Sequence, residues 1–293
     1  MKSFSSSSRP GPGILFVVAT PIGNSGDLSP RAAKTLAEAD LIACEDTRRT
    51  GRMLAAHGIR TPTISYFEHV EERRTPELVE RLLGGERIAI VTDAGTPAIS
   101  DPGFRLVRAA LEAGISVAAV PGPSAAIAAL SIAGIPTNRF AFEGFLPARE
   151  SARRKMLDAL AREPRTMVFF EAARRLADTL AEMAAAFGEG RLAAVVREIT
   201  KTHEETIRGA LAELARRFRT QAALGEVTIV VEGAGGDAAI APHEATESVT
   251  AAMLVEAGMS LKDASAIVAR LTGKSRREVY QDALKRRLGA TND

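Results

Sequence analysis

Through the first 120 residues, short β-branched apolar runs alternate with segments whose apolar residues recur at helical spacing. The runs fall at residues 14–19, 41–44, 63–67, 87–91 and 116–120, and the helical spacing at 29–39, 47–56, 76–83 and 104–113. Ser29 followed by Pro30 reads as a helix N-terminus: a capping hydroxyl, then the residue with no N–H to lose. Strands separated by helices imply a mostly parallel sheet covered on both faces. A small-residue helix at 125–133 leads into a second α/β series, with strands at 140–144, 166–170, 192–198 and 227–232 and helices at 151–161, 174–187 and 210–219. Beyond a Gly- and Ala-rich linker at 233–242, residues 247–257, 261–271 and 275–288 read as three short amphipathic helices. The expected organisation is a disordered tail (1–12), an N-terminal α/β domain (13–124), a C-terminal α/β domain (125–236) and a helical extension (243–293).

Three Gly- and Pro-rich turns each follow a strand: Thr20-Pro21-Ile22-Gly23-Asn24, Asp93-Ala94-Gly95-Thr96-Pro97 and Pro121-Gly122-Pro123-Ser124. Open α/β sheets bind ligands outside the carboxyl ends of their strands, where Gly and Pro let the backbone approach without a Cβ in the way. With the loop carrying Asp46, the three turns would line one crevice. Turns scattered over both rims would bind nothing. Neither a Gly-x-Gly-x-x-Gly turn after the first strand nor a Gly-Lys-Ser/Thr loop occurs, so standard dinucleotide and phosphate cradles are excluded.

Composition narrows the class further. With 46% apolar and 25% charged residues the chain can bury a sizeable core. One cysteine, Cys44, permits no internal disulfide, and four scattered histidines show no metal-ligand spacing, so a reducing cytoplasm and no metal are expected. No apolar run reaches the roughly 18 residues that span a bilayer. The net charge of +2 conceals two basic clusters, one holding Arg153, Arg154 and Lys155 and one holding Arg276 and Arg277. Such clusters contact phosphates or form solvated helix faces. Aromatic residues make up only 4%, too few for recognition by base stacking.

Six motifs in fixed order carry a resemblance: Thr20-Pro21-Ile22-Gly23-Asn24, Cys44-Glu45-Asp46-Thr47-Arg48, Asp93 to Pro97 with Asp101-Pro102-Gly103, Pro121-Gly122-Pro123-Ser124, Glu143-Gly144-Phe145-Leu146-Pro147 and Arg197-Glu198-Ile199-Thr200-Lys201. From about Ile14 to Gly233 the chain resembles the 16S ribosomal RNA cytidine 2′-O-methyltransferases of bacteria, a branch of the tetrapyrrole methylase superfamily. The resemblance implies two α/β domains with S-adenosylmethionine in the cleft between them, a small C-terminal helical extension and a homodimer. It implies a decoding-region cytidine of 16S rRNA, presented in the small ribosomal subunit, as substrate. Many corrin and porphyrin methylases carry Gly-Pro-Gly-Asp at the first turn. Its replacement here, without the aspartate, argues against a tetrapyrrole substrate.

By the same likeness Pro21, the loop of Asp93, Ala94, Gly95, Thr96 and Pro97, and neighbouring Ile99 and Ser100 would hold the cofactor. Ser124 and Ala125 would lie near its methionine portion, and Phe170, Glu171, Val227 and Thr228 would close over the adenine. A phenylalanine in a strand is more often a core residue. Transfer to a ribose hydroxyl calls for a base or a cation beside the oxygen, and the candidates are Glu45 and Asp46 with Arg48 and Arg49, and Lys201 with Glu198, Glu204 and Glu205, each equally able to form a surface ion pair. Arg153, Arg154, Lys155, Arg276 and Arg277 would grip RNA phosphates. Two other readings share these features: a methylase of a tetrapyrrole-like small molecule, and a non-catalytic ribosome assembly factor.

Overall fold

The structure is a computed structural model and describes residues 12–221, 223–235, 251–256, 259–272, 275–277, 279–281 and 283. Most of the expected N-terminal tail, most of the linker and the final ten residues of the expected extension lie outside the described residues. Two compact units are present, Met1–Ala234 and Gly235–Asp293. Both sheets belong to the first.

The first sheet is entirely parallel, in the order β3-β2-β4-β1-β5. Its strands are β1 (Ile14–Val18), β2 (Leu41–Cys44), β3 (Thr63–Ser65), β4 (Arg87–Val91) and β5 (Ser116–Val120). Alternate side chains feed two cores. Val18, Ile42, Cys44, Ala89 and Val91 pack beneath α1 (Pro30–Glu38) and α2 (Thr47–Ala56). Leu15, Leu41, Ala43, Ile88 and Ile90 pack against α3 (Glu71–Leu83) and α4 (Phe104–Glu112) on the other face. Burial on both faces is why these strands read as unbroken apolar runs. As expected from Ser29, its hydroxyl accepts the Ala32 N–H at 3.0 Å and caps α1.

Helix α3 begins five residues before Pro76, the residue expected to open it. Tertiary bonds hold the preceding turn. The Tyr66 and Thr75 hydroxyls lie 2.8 Å apart, and the Glu71 carboxylate accepts the Gly103 N–H at 2.8 Å. These anchors outweigh the single ladder bond that a proline removes.

The second sheet is mixed, in the order β6-β7-β10-β8-β9. Its strands are β6 (Phe140–Phe145), β7 (Thr166–Ala172), β8 (Leu192–Arg197), β9 (Glu205–Ala210) and β10 (Glu226–Val231). Only β6 and β7 are parallel; β10 is antiparallel to both its neighbours, and β8 and β9 form a hairpin. Helices α6 (Glu150–Leu160), α7 (Leu176–Phe187) and α8 (Leu211–Thr220) cover one face. Helix α5 (Ala125–Ala133) covers the other, where Ile22 from the loop after β1 joins the same apolar cluster.

In the second unit α9 (Ala251–Glu256) and α10 (Leu261–Thr272) share a small core of Ala251, Ala264, Val268, Val279 and Ala283. Ser260 caps α10 by accepting the Asp263 N–H at 3.1 Å.

Candidate active site

The loops after β1 and β4 leave adjacent strands for helices on opposite faces of the sheet, α1 and α4. Such divergence opens a crevice at the strand ends. Reciprocal bonds clasp the two loops together, Thr20 N–H to Gly95 C=O at 2.9 Å and Gly95 N–H to Thr20 C=O at 3.1 Å. Gly95 sits at φ +90°, a region that L side chains rarely enter. A further bond from the Thr96 hydroxyl to the Pro123 carbonyl, 3.2 Å, ties in the loop after β5.

The opposite wall comes from the second sheet. Because β7 and β10 run antiparallel, the end of one lies beside the start of the other, Glu171 opposite Val227 and Phe170 opposite Thr228. A cleft of about 630 Å³ separates the walls, a size suited to a small-molecule cofactor or substrate.

Residues 93–96, with Ile99 and Ser100, line one side of it, Ser124 and Ala125 the N-terminal end of α5, and Phe170, Glu171, Val227 and Thr228 the far side. Pro21 and Pro97 stand outside the lining. Ile22 replaces the first, and the second is buried within its loop. Arg49, a candidate beside Arg48, also lines the cleft, as do Ile22, Asp101, Phe145, Arg174 and Glu226, to which the sequence assigned no site role. Phe145 is 54% exposed and packs against Phe170 with ring centroids 5.5 Å apart; Phe142 meets Phe170 edge-on from behind at 4.9 Å. An apolar aromatic wall results, and its partner in the motif, Gly144, was the available signal.

Backbone strain concentrates at the borders of this cleft. Among the described residues, Ala98, Ser100, Glu198 and Thr200 are the non-glycine residues with positive φ, at 69°, 61°, 51° and 66°. Such conformations each cost on the order of 1–3 kcal/mol and concentrate at functional sites. The second pair belongs to the loop after β8, which meets the loop after β1 through the Asn24 N–H and the Thr200 hydroxyl at 3.0 Å. A Cβ on Gly23 would stand 2.5 Å from the Lys201 Cγ, and one on Gly225 only 1.9 Å from the Glu198 carboxylate. Both glycines are therefore needed for the loops to close on one another.

The four expected catalytic side chains have different fates. Glu45 lines the cleft and accepts the Thr92 hydroxyl at 3.0 Å. Asp46 instead caps α2, taking the Arg48 N–H at 2.7 Å, which holds its carboxyl below the ordinary range. Arg48 folds back on Asp46 at 3.3 Å and is 88% exposed, outside the lining; Arg49, one residue on, reaches the cleft and pairs with Asp93 at 3.1 Å. Lys201 lies behind the wall, its ammonium shared between Glu198 at 3.0 Å and Glu226 at 3.3 Å. Those partners raise its pKa against the opposing effect of burial, the opposite of what a neutral amine base requires.

Arg153 is a correction to the expected RNA-binding set. Its guanidinium is buried and forks onto Glu182 at 2.6 and 2.7 Å, so it is a packing element between α6 and α7. Arg154 and Lys155, on the outer side of α6, are exposed, as are Arg276 and Arg277 in the second unit. Among the described residues no cluster of His, Cys, Asp or Glu could hold a metal ion, and no helix is long and apolar enough to cross a membrane.

Two α/β sheets meeting at a cofactor-sized cleft define a class, and the comparisons specify it. Residues 15–215 match the family model of tetrapyrrole (corrin/porphyrin) methylases. Solved structures of the same fold include uroporphyrin-III-C-methyltransferase from Thermus thermophilus, with TM-score 0.54 and 20% identity over 74% of this chain and 94% of that one. The methyltransferase CobJ gives TM-score 0.57 and 20% identity over 76% and 95%. Ribosomal RNA small subunit methyltransferase I of Xylella fastidiosa is 47% identical over 92% of this chain and 98% of its own. Its counterpart in Mycobacterium tuberculosis is 45% identical over 94% and 96%. Residues 241–287 match a second model, described as the RsmI C-terminal HTH domain. The chain belongs to the tetrapyrrole methylase family, within the group of ribosomal RNA small subunit methyltransferase I proteins.

Proposed function

We propose that the chain transfers a methyl group from S-adenosylmethionine to the 2′-hydroxyl of a decoding-region cytidine of 16S rRNA, acting on the small ribosomal subunit in the cytoplasm. The observation that carries this reading is the cleft between the two sheets, in a chain 45–47% identical over most of its length to proteins named for small-subunit rRNA methylation.

The lining fits the donor. Phe170 and Phe145 offer an aromatic wall for a purine, residues 93–96 offer backbone groups, and Ser124 stands at the start of α5 with its hydroxyl unused as a cap. The free N–H groups of that helix start suit a carboxylate. When bound, the donor supplies a methyl group activated by a sulfonium. The chain must hold the ribose oxygen in line with it, exclude water and accept one proton. Arg154, Lys155, Arg276 and Arg277 are exposed cations for RNA phosphates. Exposed Leu111, Ile127 and Ile132 are apolar surface that a second copy would cover in a homodimer.

The test is methyl incorporation into small subunits lacking the modification, beside free 16S rRNA and a porphyrinoid, with donor affinity measured by calorimetry. Transfer to the subunits supports the reading. Transfer only to the porphyrinoid favours a small-molecule methylase, and absence of donor binding favours an assembly factor.

A further inference from the structure

Five carboxylates line the cleft, and four of them are engaged. Glu45 accepts the Thr92 hydroxyl at 3.0 Å, and Asp93 pairs with Arg49 at 3.1 Å and accepts the Asp46 N–H at 3.2 Å. Glu226 pairs with Lys201 at 3.3 Å. Glu171, 2% exposed, accepts the Ala172 N–H, the Arg175 guanidinium and the Thr179 hydroxyl at 2.6–2.8 Å.

Asp101 differs. It forms no ion pair among the described residues, and its polar neighbour is the Thr92 hydroxyl, whose single proton it shares with Glu45. Glu45 on the loop after β2, Asp93 after β4 and Glu226 on β10 face it with like charge, while the cation Arg49 on α2 is taken by Asp93. Burial first, then Glu45, lift the Asp101 carboxyl to about 6, and the Thr92 hydroxyl restrains the rise. The loop is also rigid. Gly103 N–H is held by Glu71, Ala98 N–H bonds the Pro102 carbonyl at 3.2 Å, and Ala98 and Ser100 are held at positive φ.

We propose, resting on the ribose-methylation reading above, that Asp101 is the base that takes the proton of the substrate hydroxyl, with Thr92 and Glu45 as positioning residues that set its basicity. As the oxygen–carbon bond forms, the carbon–sulfur pair goes to sulfur and cancels the sulfonium charge. The O–H proton goes to the Asp101 carboxylate, so a cation and an anion become two neutral groups, and the carboxyl later releases its proton to water through the open cleft. Asp93 is already held on one oxygen by the Asp46 N–H and on the other by the Arg49 guanidinium, and Glu45 Oε2 accepts the Thr92 hydroxyl.

The experiment compares wild type, Asp101→Asn, Asp101→Glu, Thr92→Val and Glu45→Gln on unmodified small subunits across pH 5–9, together with donor calorimetry and ¹³C NMR titration of side-chain carboxyls in the protein alone. Asp101→Asn is expected to bind the donor within about threefold of wild type and to lose on the order of 10²-fold or more in methyl transfer. Asp101→Glu should recover part of it. The wild-type rate should rise with pH through about 6, matching a carboxyl signal that Asp101→Asn abolishes. Thr92→Val should move both to higher pH and Glu45→Gln to lower pH, shifts that a purely structural role would not produce.

Transfer by Asp101→Asn within twofold of wild type overturns the proposal, as does the absence of any carboxyl titrating near 6. Loss of donor binding in Asp101→Asn also overturns it, by making the residue a binding group. Wild type that transfers nothing to the subunits overturns the ribose-methylation reading itself, and this assignment with it.

Discussion

Removing the charge of Asp101 should stabilise the protein at neutral pH. A carboxyl whose folded-state pKa is raised above its unfolded value favours folding only while protonated, and that contribution disappears as pH rises through the folded value. For Asp101 the window runs from the ordinary 3.8 to about 6. A rise of that size corresponds to at most about 3 kcal/mol. The side chain borders an open cleft, so solvent screening reduces this to about 1–2 kcal/mol. Asparagine keeps the shape and discards the charge. Asp101→Asn should therefore match wild type near pH 4 and exceed it by about 1–2 kcal/mol at pH 8, or by roughly 3–6 °C in Tm for a unit of this size. Urea unfolding of both proteins at the two pH values measures the difference directly. Carboxylates held low by partners, Glu163 by Arg165 and Glu198 by Lys201, lose stability in acid equally in both proteins and cancel. A variant less stable than wild type at pH 8, or a gap that does not change with pH, would refute the reasoning.

Neighbouring arginines on α6 should respond oppositely. Arg153→Ala leaves the partly buried Glu182 without its partner and should cost about 3–5 kcal/mol in urea unfolding, whereas Arg154→Ala, at a side chain 65% exposed, should stay within about 0.5 kcal/mol. Equal effects would contradict the burial assigned to Arg153. Gly225→Ala places a Cβ against the Glu198 carboxylate at a φ of +82°, and calorimetry should show donor affinity falling at least about tenfold; unchanged affinity would mean that this loop does not shape the cofactor site. Charge reversal at Arg154 and Lys155 should weaken association with small subunits and flatten its salt dependence, by about one unit of slope for each phosphate no longer neutralised. Indifference to both changes would assign that helix face to solvent.

The hydrophobic pattern exposed those parts of the fold in which burial leaves a mark on residue type. Strands β2 and β4 are apolar at nearly every position because helices cover both faces, and their loops were legible as ligand-binding because Gly95 and the prolines mark sharp turns. Strand β9 was missed because Glu-Thr-Ile-Arg-Gly-Ala, at a sheet edge, carries one buried residue and no apolar run. Nor does strand pattern disclose direction, so the antiparallel β10, which brings Val227 beside Glu171, came only with the structure. Arg153 was within reach: it lies four residues before the fully buried Leu157, on the same helix face, and that spacing separates it from Arg154 and Lys155. The proposed base was not. Glu45, Asp93 and Asp101 are all carboxylates in strand-end loops, and what distinguishes them is the allocation of one hydroxyl proton and one guanidinium among three acceptors. That allocation is set by side chains contributed from separate loops, and it leaves Asp101 as the one of the three without a guanidinium or an N–H donor among the described residues.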